Sequence, residues 1–128
     1  MLRYVVGGGM IEVENLTKYY GKFKALDGIN LRIEENEVFG FLGPNGAGKT
    51  TTINLILGLI QPTSGRIRVA GLDVVKNPIE VKKICGYLPE NAGFYTNMTA
   101  KQNLLYFAEF YDMGKEEATK RVDELLEL

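Results

Sequence analysis

The segment Gly43-Pro44-Asn45-Gly46-Ala47-Gly48-Lys49-Thr50 matches the pattern G-x-x-x-x-G-K-[ST], whose residue types suit one task, the holding of a phosphate chain. Glycines let the backbone curl so that successive N–H groups face one concavity, and a following helix N-terminus adds its own free donors. Asn45, Gly46, Ala47 and Gly48 would supply that cradle. Lys49 would add a point charge for the β- and γ-oxygens, and the Thr50 hydroxyl would ligate a Mg²⁺ bridging them. Thr51 is placed to hydrogen-bond the α-phosphate. The plain alternative is a turn joining strand to helix, since Gly-Pro-Asn-Gly is good turn chemistry. A lysine and two threonines at a helix start, beside several glycines, have little purpose without an anion.

A loop of this kind needs a strand before it and a helix after it. Val38-Phe39-Gly40-Phe41-Leu42 is continuously apolar, the mark of a strand covered on both faces, as in a parallel sheet. Ile53, Ile56, Leu57 and Ile60 recur at helical spacing, so a helix is predicted from Lys49 to about Leu59, ended by Gln61-Pro62-Thr63-Ser64-Gly65. Ahead of these, Ile11 and Val13, with Asn15 next in the series, alternate with Glu12 and Glu14, and Ile29, Leu31 and Ile33 alternate with Asn30 and Arg32. Those two segments read as strands of a more exposed antiparallel layer.

Ile67 and Val69 alternate with Arg66 and Arg68 as another half-exposed strand, and Asn77-Pro78 caps a short helix reaching Lys83. Ile84 to Leu88 reads as a buried strand carrying Cys85. Thr99-Ala100-Lys101-Gln102 has capping-box spacing, and Leu104, Leu105, Phe107, Ala108 and Tyr111 continue it as an amphipathic helix that Gly114 closes. A last helix carries Ala118, Val122, Leu125 and Leu126 on its apolar stripe.

Composition fits a globular chain, with 45% hydrophobic and 24% charged residues among 128. Lys plus Arg number 15 against 16 Asp plus Glu, a net charge of −1, so no polyanion footprint appears and nucleic acid is not an expected partner. One cysteine excludes an internal disulfide and fits a reducing compartment. The longest candidate span, Ile53 to Ile60, contains Asn54 and falls short of the about 20 residues of a membrane helix. Residues 1–9, with Gly7-Gly8-Gly9, read as a flexible leader before a domain spanning 10–128, and Met10 is an alternative start.

The chain resembles the ATP-binding-cassette (ABC) family in several segments that occur in order. Gly-Pro-Asn-Gly-Ala-Gly-Lys-Thr-Thr is that family's form of the loop, and Leu16-Thr17-Lys18-Tyr19-Tyr20-Gly21 resembles its adenine-stacking segment, with Tyr20 as the stacking ring and Tyr19 as the alternative. Pro62 to Gly71 resembles the turn and strand after the loop's helix. Gly86-Tyr87-Leu88-Pro89-Glu90 resembles the segment bearing the Q-loop, with Glu90 where many members have Gln.

The resemblance implies an α/β fold: the N-terminal half of a P-loop NTPase domain of the ABC type, with an antiparallel β layer, a core strand–P-loop–helix unit and the start of a helical subdomain. It implies ATP and Mg²⁺ as cofactors, Tyr20, Asn45, Gly46, Ala47, Gly48, Lys49, Thr50 and Thr51 as nucleotide contacts, and Thr50 and Glu90 as Mg²⁺ contacts. Glu90 would also orient water. Expected partners are transmembrane permease subunits and a second ATPase subunit. The expected location is cytoplasmic, peripheral on the inner face of the cell membrane.

The family's Leu-Ser-Gly-Gly-Gln-type signature, its Asp-Glu-ending strand and its switch histidine do not occur in these residues. Asp73 and Asp112, the only acids trailing apolar stretches, read as surface acids. The resemblance therefore covers the N-terminal part of the domain, and these residues alone are expected to bind Mg-ATP weakly without useful turnover. A soluble, non-transport ABC ATPase is the alternative, although the short Lys49–Glu90 interval leaves no room for the long insertions of chromosome-maintenance ATPases. A second alternative is an inert half that complements a separate C-terminal half.

Overall fold

The computed structural model describes residues 4–6, 10–89, 92–111 and 113–128. Two compact units divide at Glu90 and Asn91. In the first, strands β2 (Ile11–Tyr20), β3 (Phe23–Ile33), β4 (Ser64–Val69) and β5 (Leu72–Asp73) form an antiparallel sheet in the order β3-β2-β4-β5. Its inner face meets helices α1 (Lys49–Ile56) and α2 (Pro78–Ile84). Ile11, Val13, Leu16, Leu26, Leu55, Ile67, Val69 and Val81 close the core between them. The period-two pattern of β2 and β4 thus does what alternation dictates, with Ile67 and Val69 buried and Arg66 exposed.

Alternation breaks once, at Asn15. Its φ of 47° makes a bulge that shifts the β2 register between Glu14 and Thr17 on the β4 side. Leu16, fully buried, takes the inward position that continuous alternation would give Asn15. Asn15 instead donates its N–H to Asn30 Oδ1 at 2.9 Å. Gly65 crosses the bulge so closely that a Cβ there would lie 2.4 Å from the Asn15 carbonyl oxygen. Strand β3 begins six residues ahead of the alternating Ile29-to-Ile33 run, because Gly21-Lys22 makes a two-residue hairpin pairing Tyr20 with Phe23.

Helix α1 starts at Lys49 as expected but stops three residues before Leu59. Gly58 takes φ 63°, its N–H donates to Leu55 O, and Leu59 N–H donates to Asn54 O. This is a Schellman closure, which satisfies carbonyls a helix end leaves free. Helix α2 has Asn77 at its cap position and Pro78 in its first turn. Asn77 makes no side-chain cap bond; its Nδ2 donates back to Asp73 O, and Asp73 Oδ1 accepts from Val75 and Lys76 N–H.

The apolar run 38–42 is not a strand. Val38 and Leu42 are 93% and 95% exposed, Phe39 is also exposed, and Phe41 alone packs against the core. An extended apolar segment becomes a strand only when a neighbour takes up its N–H and C=O groups, and among the described residues none does. Strand β6 (Cys85–Tyr87) forms where Ile84 to Leu88 predicts one, but it is half exposed and pairs antiparallel with β1 (Tyr4–Val6). Desolvation still pushes the Cys85 thiol above its usual pKa. Of the expected leader, residues 4–6 are thus β1, and 1–3 and 7–9 lie outside the described residues.

The second unit holds α3 (Ala100–Ala108), a 3₁₀ turn (Glu109–Tyr111) and α4 (Lys115–Leu126). Thr99 and Gln102 form the reciprocal capping box their spacing predicts. Gly114 has φ −59° and caps the start of α4 rather than ending α3 in a left-handed turn. On α4, Ala118 and Val122 are buried whereas Leu125 and Leu126 are exposed. Asn103 is the polar anchor of the unit: 5% exposed, it accepts from Tyr95 N–H and donates Nδ2 to the Tyr95, Met98 and Thr99 carbonyls.

Candidate functional site

The loop 43–48 is built on positive-φ glycines. Gly43, Gly46 and Gly48 have φ of 149°, 85° and 84°, a region L-residues with a Cβ avoid. Ala47 N–H closes a turn onto Pro44 O at 3.2 Å. Gly48 then hands the chain to α1, where Thr52 donates both its N–H and its hydroxyl to Gly48 O, at 2.8 and 2.9 Å. The third threonine is therefore structural, and the sequence pattern does not separate it from its neighbours.

Lys49 turns back across the loop, its ammonium donating to Gly43 O and Pro44 O at 2.7 Å each. An ammonium has three donors. Two hold the loop's curl, and the third is left for an anion. The N–H groups of Gly46, Gly48, Lys49, Thr50 and Thr51 take no acceptor among the described residues, nor do the hydroxyls of Thr50 and Thr51. Free N–H groups at a helix start, the positive end of its dipole and one cation together make a cradle for a multiply charged anion. Asn45 sits in the exposed turn of the loop.

Gly48 also fixes where the cradle stands. A Cβ on it would lie 2.5 Å from Leu26 Cδ2 and 3.0 Å from Ala25 O, so the loop abuts β3 directly. Lys18 and Leu26 are register partners across β2 and β3 and share one face of the hairpin. Tyr20, two residues beyond Lys18, lies on that same face, and Lys18 Nζ sits 5.2 Å from its ring centroid. Tyr19 is on the opposite face under Lys24, which is paired with Asp27 at 3.1 Å. Of the two tyrosines, Tyr20 is the one on the loop's side of the hairpin, and its ring is half exposed. Glu90 lies outside the described residues.

The second unit carries a cluster of aromatic side chains. Tyr95, Tyr106, Phe107 and Phe110 form a chain of edge and tilted ring contacts, with centroids 5.2 to 6.5 Å apart. Phe94, Tyr95, Phe107 and Phe110 are exposed. Among the described residues no helix is long and apolar enough to cross a membrane.

Comparison with known proteins gives a consistent result. The family model described as ABC transporter matches residues 26–128. The chain is 44% identical over 119 residues to the bacitracin transport ATP-binding protein BcrA of Bacillus licheniformis, a match covering 93% of this chain and 38% of that protein. Among solved structures it resembles the dimeric bacterial ABC transporter cassette MJ0796, with a TM-score of 0.76 and 31% identity over 91% of this chain and 56% of that one. A post-hydrolysis dimer of the same cassette bound to ADP and Pi gives a TM-score of 0.72 at 27% identity, over 91% of this chain and 56% of that one. The chain thus spans well under half the length of the curated relative and a little over half of the solved cassettes.

Proposed function

We propose, from the premise that the chain belongs to the ABC transporter family, that it forms one side of the ATP site of a transporter's ATPase subunit. The observation that carries this is the loop: three positive-φ glycines, a lysine committed to two loop carbonyls with one donor to spare, and a helix start with free N–H groups. In this reading the β-phosphate lies in the cradle of Asn45, Gly46, Ala47 and Gly48, Lys49 spans the β- and γ-oxygens, and Thr51 takes the α-phosphate. Tyr20 stacks on the adenine, contributing about 1–3 kcal/mol by analogy with base–aromatic stacking.

Mg²⁺ fits the same residues. The Thr50 hydroxyl, unengaged among the described residues, is a hard oxygen donor beside the phosphates, and Glu90 is a second candidate ligand. The metal's contribution when bound is to neutralise charge on the β- and γ-oxygens.

Hydrolysis asks for more than these residues hold. Phosphoryl transfer to water depends on positioning the water and stabilising charge around the γ-phosphate, and the signature, Asp-Glu strand and histidine that do so in this family are not in the sequence. These 128 residues therefore bind Mg-ATP weakly and do not turn it over usefully. The full subunit pairs with a second cassette and with permease subunits on the inner face of the membrane, and the segment 92–98 with α3 offers the permease contact. MJ0796, solved as a dimer, supports the pairing.

The test is complementation. A polypeptide bearing the signature, the Asp-Glu strand and the histidine, added in trans, should restore ATP-dependent phosphate release to this chain but not to its Lys49→Ala variant. Release by the 128 residues alone at the complemented rate would contradict the division of the site.

A further inference from the structure

Lys18 makes two contacts that no part of the phosphate-loop pattern calls for. Its ammonium lies over the Tyr20 ring, 5.2 Å from the centroid, and donates to Gln61 O at 2.7 Å. Gln61 stands in the turn that follows α1, the helix whose first turn borders the phosphate cradle. The ring of Tyr20 is thus tied, through one side chain, to the far end of the element that starts at the loop.

A tyrosine at a hairpin end, nearly half exposed, keeps freedom about two side-chain torsions and loses it when a base stacks on it. A cation held over one face removes part of that freedom beforehand, which is preorganisation of a binding surface. The hydrogen bond to Gln61 keeps the ammonium where it is. Cation and base cannot share a face, so the base takes the other one.

We propose that Lys18 is a positioning residue for Tyr20, backing one face of the ring so that the opposite face is presented to adenine. This rests on the reading of Tyr20 as the stacking ring. The backbone around Lys18 has its own anchors: Thr63 N–H donates to Thr17 O at 3.0 Å, and Tyr19 N–H donates to Thr63 Oγ1 at 3.0 Å. Removing the ammonium therefore releases the ring without releasing the strand.

The experiment is a calorimetric titration of the chain with Mg-ATP and, separately, Mg-tripolyphosphate, which has the phosphates but no base. Lys18→Met keeps the apolar stem and should weaken Mg-ATP about two- to five-fold, the size of an exposed cation–π contact, with tripolyphosphate unchanged. Lys18→Arg should restore most of the loss. In a Tyr20→Ala background Lys18→Met should cost nothing further. Equal weakening of both ligands would make Lys18 a general electrostatic contributor and overturn the proposal, as would unchanged or tighter ATP binding, or a loss that persists without Tyr20. If Tyr20→Ala alone leaves ATP binding intact, the stacking reading itself fails, an outcome separate from these.

Discussion

Replacing Gly48 with alanine probes the joint between the loop and the sheet. The backbone there has φ 84° and ψ 3°, and an L-residue in this left-handed region costs about 1–2 kcal/mol. The new methyl would also lie 2.5 Å from Leu26 Cδ2 and 3.0 Å from Ala25 O. Leu26 can rotate, but it is buried in the core and the carbonyl belongs to β3, so overpacking adds about 1–3 kcal/mol. The sum, roughly 2–5 kcal/mol, is a large part of a stability of about 5–15 kcal/mol.

Gly46 is the internal control. Its φ is 85°, yet nothing lies within 4 Å of its would-be Cβ, so Gly46→Ala should lose only the conformational part, about 1–2 kcal/mol. Urea unfolding of both variants gives the comparison. Gly48→Ala should be the less stable by about 1–3 kcal/mol. Equal losses would refute the packing of the loop against Leu26 and Ala25, and with it the argument that this contact fixes the loop beneath the hairpin that carries Tyr20.

Other consequences follow from single contacts. Asn103→Ala removes the acceptor of Tyr95 N–H and the donor to Met98 O, whereas the Tyr95 and Thr99 carbonyls keep backbone donors; it should cost about 1–3 kcal/mol, seen as faster amide exchange at Tyr95 in particular, and unchanged exchange would contradict the anchor. Burial holds the Cys85 thiol above its ordinary pKa, so at pH 8 its alkylation should be slower folded than unfolded, and the neutral thiol's contribution to stability should be lost as pH rises through the alkaline range. Equal rates would sink that. Thr50→Ala should abolish the Mg²⁺-dependent increment of ATP stabilisation, matching wild type treated with EDTA; a full increment would remove Thr50 from the metal site.

How much was legible in the sequence depends on how local each feature is. The loop pattern, the Thr99–Gln102 capping box and the alternation of Ile67 and Val69 are written within a few residues, and the structure shows the box and the alternation as expected. The Asn15 bulge depends on Gly65, fifty residues on, and the end of α1 depends on Gly58 adopting a left-handed turn that helical periodicity masks. Gly58 was readable as a C-cap glycine. Nothing local marks Asn103, whose four bonds reach back to residues 95–99 ahead of its own helix. The run 38–42 is written for burial, but burial needs neighbouring strands, and among the described residues none pairs with it.

The central claim is that Gly43 to Thr51 holds the phosphates of Mg-ATP with Lys49 as its cation. Thermal unfolding with and without saturating Mg-ATP tests it most directly, because a ligand bound only by the folded state raises the transition in proportion to the logarithm of its concentration over Kd. Wild type should show a rise that grows with ATP, and Lys49→Ala should show none. An equal rise in both proteins would contradict the assignment of the loop.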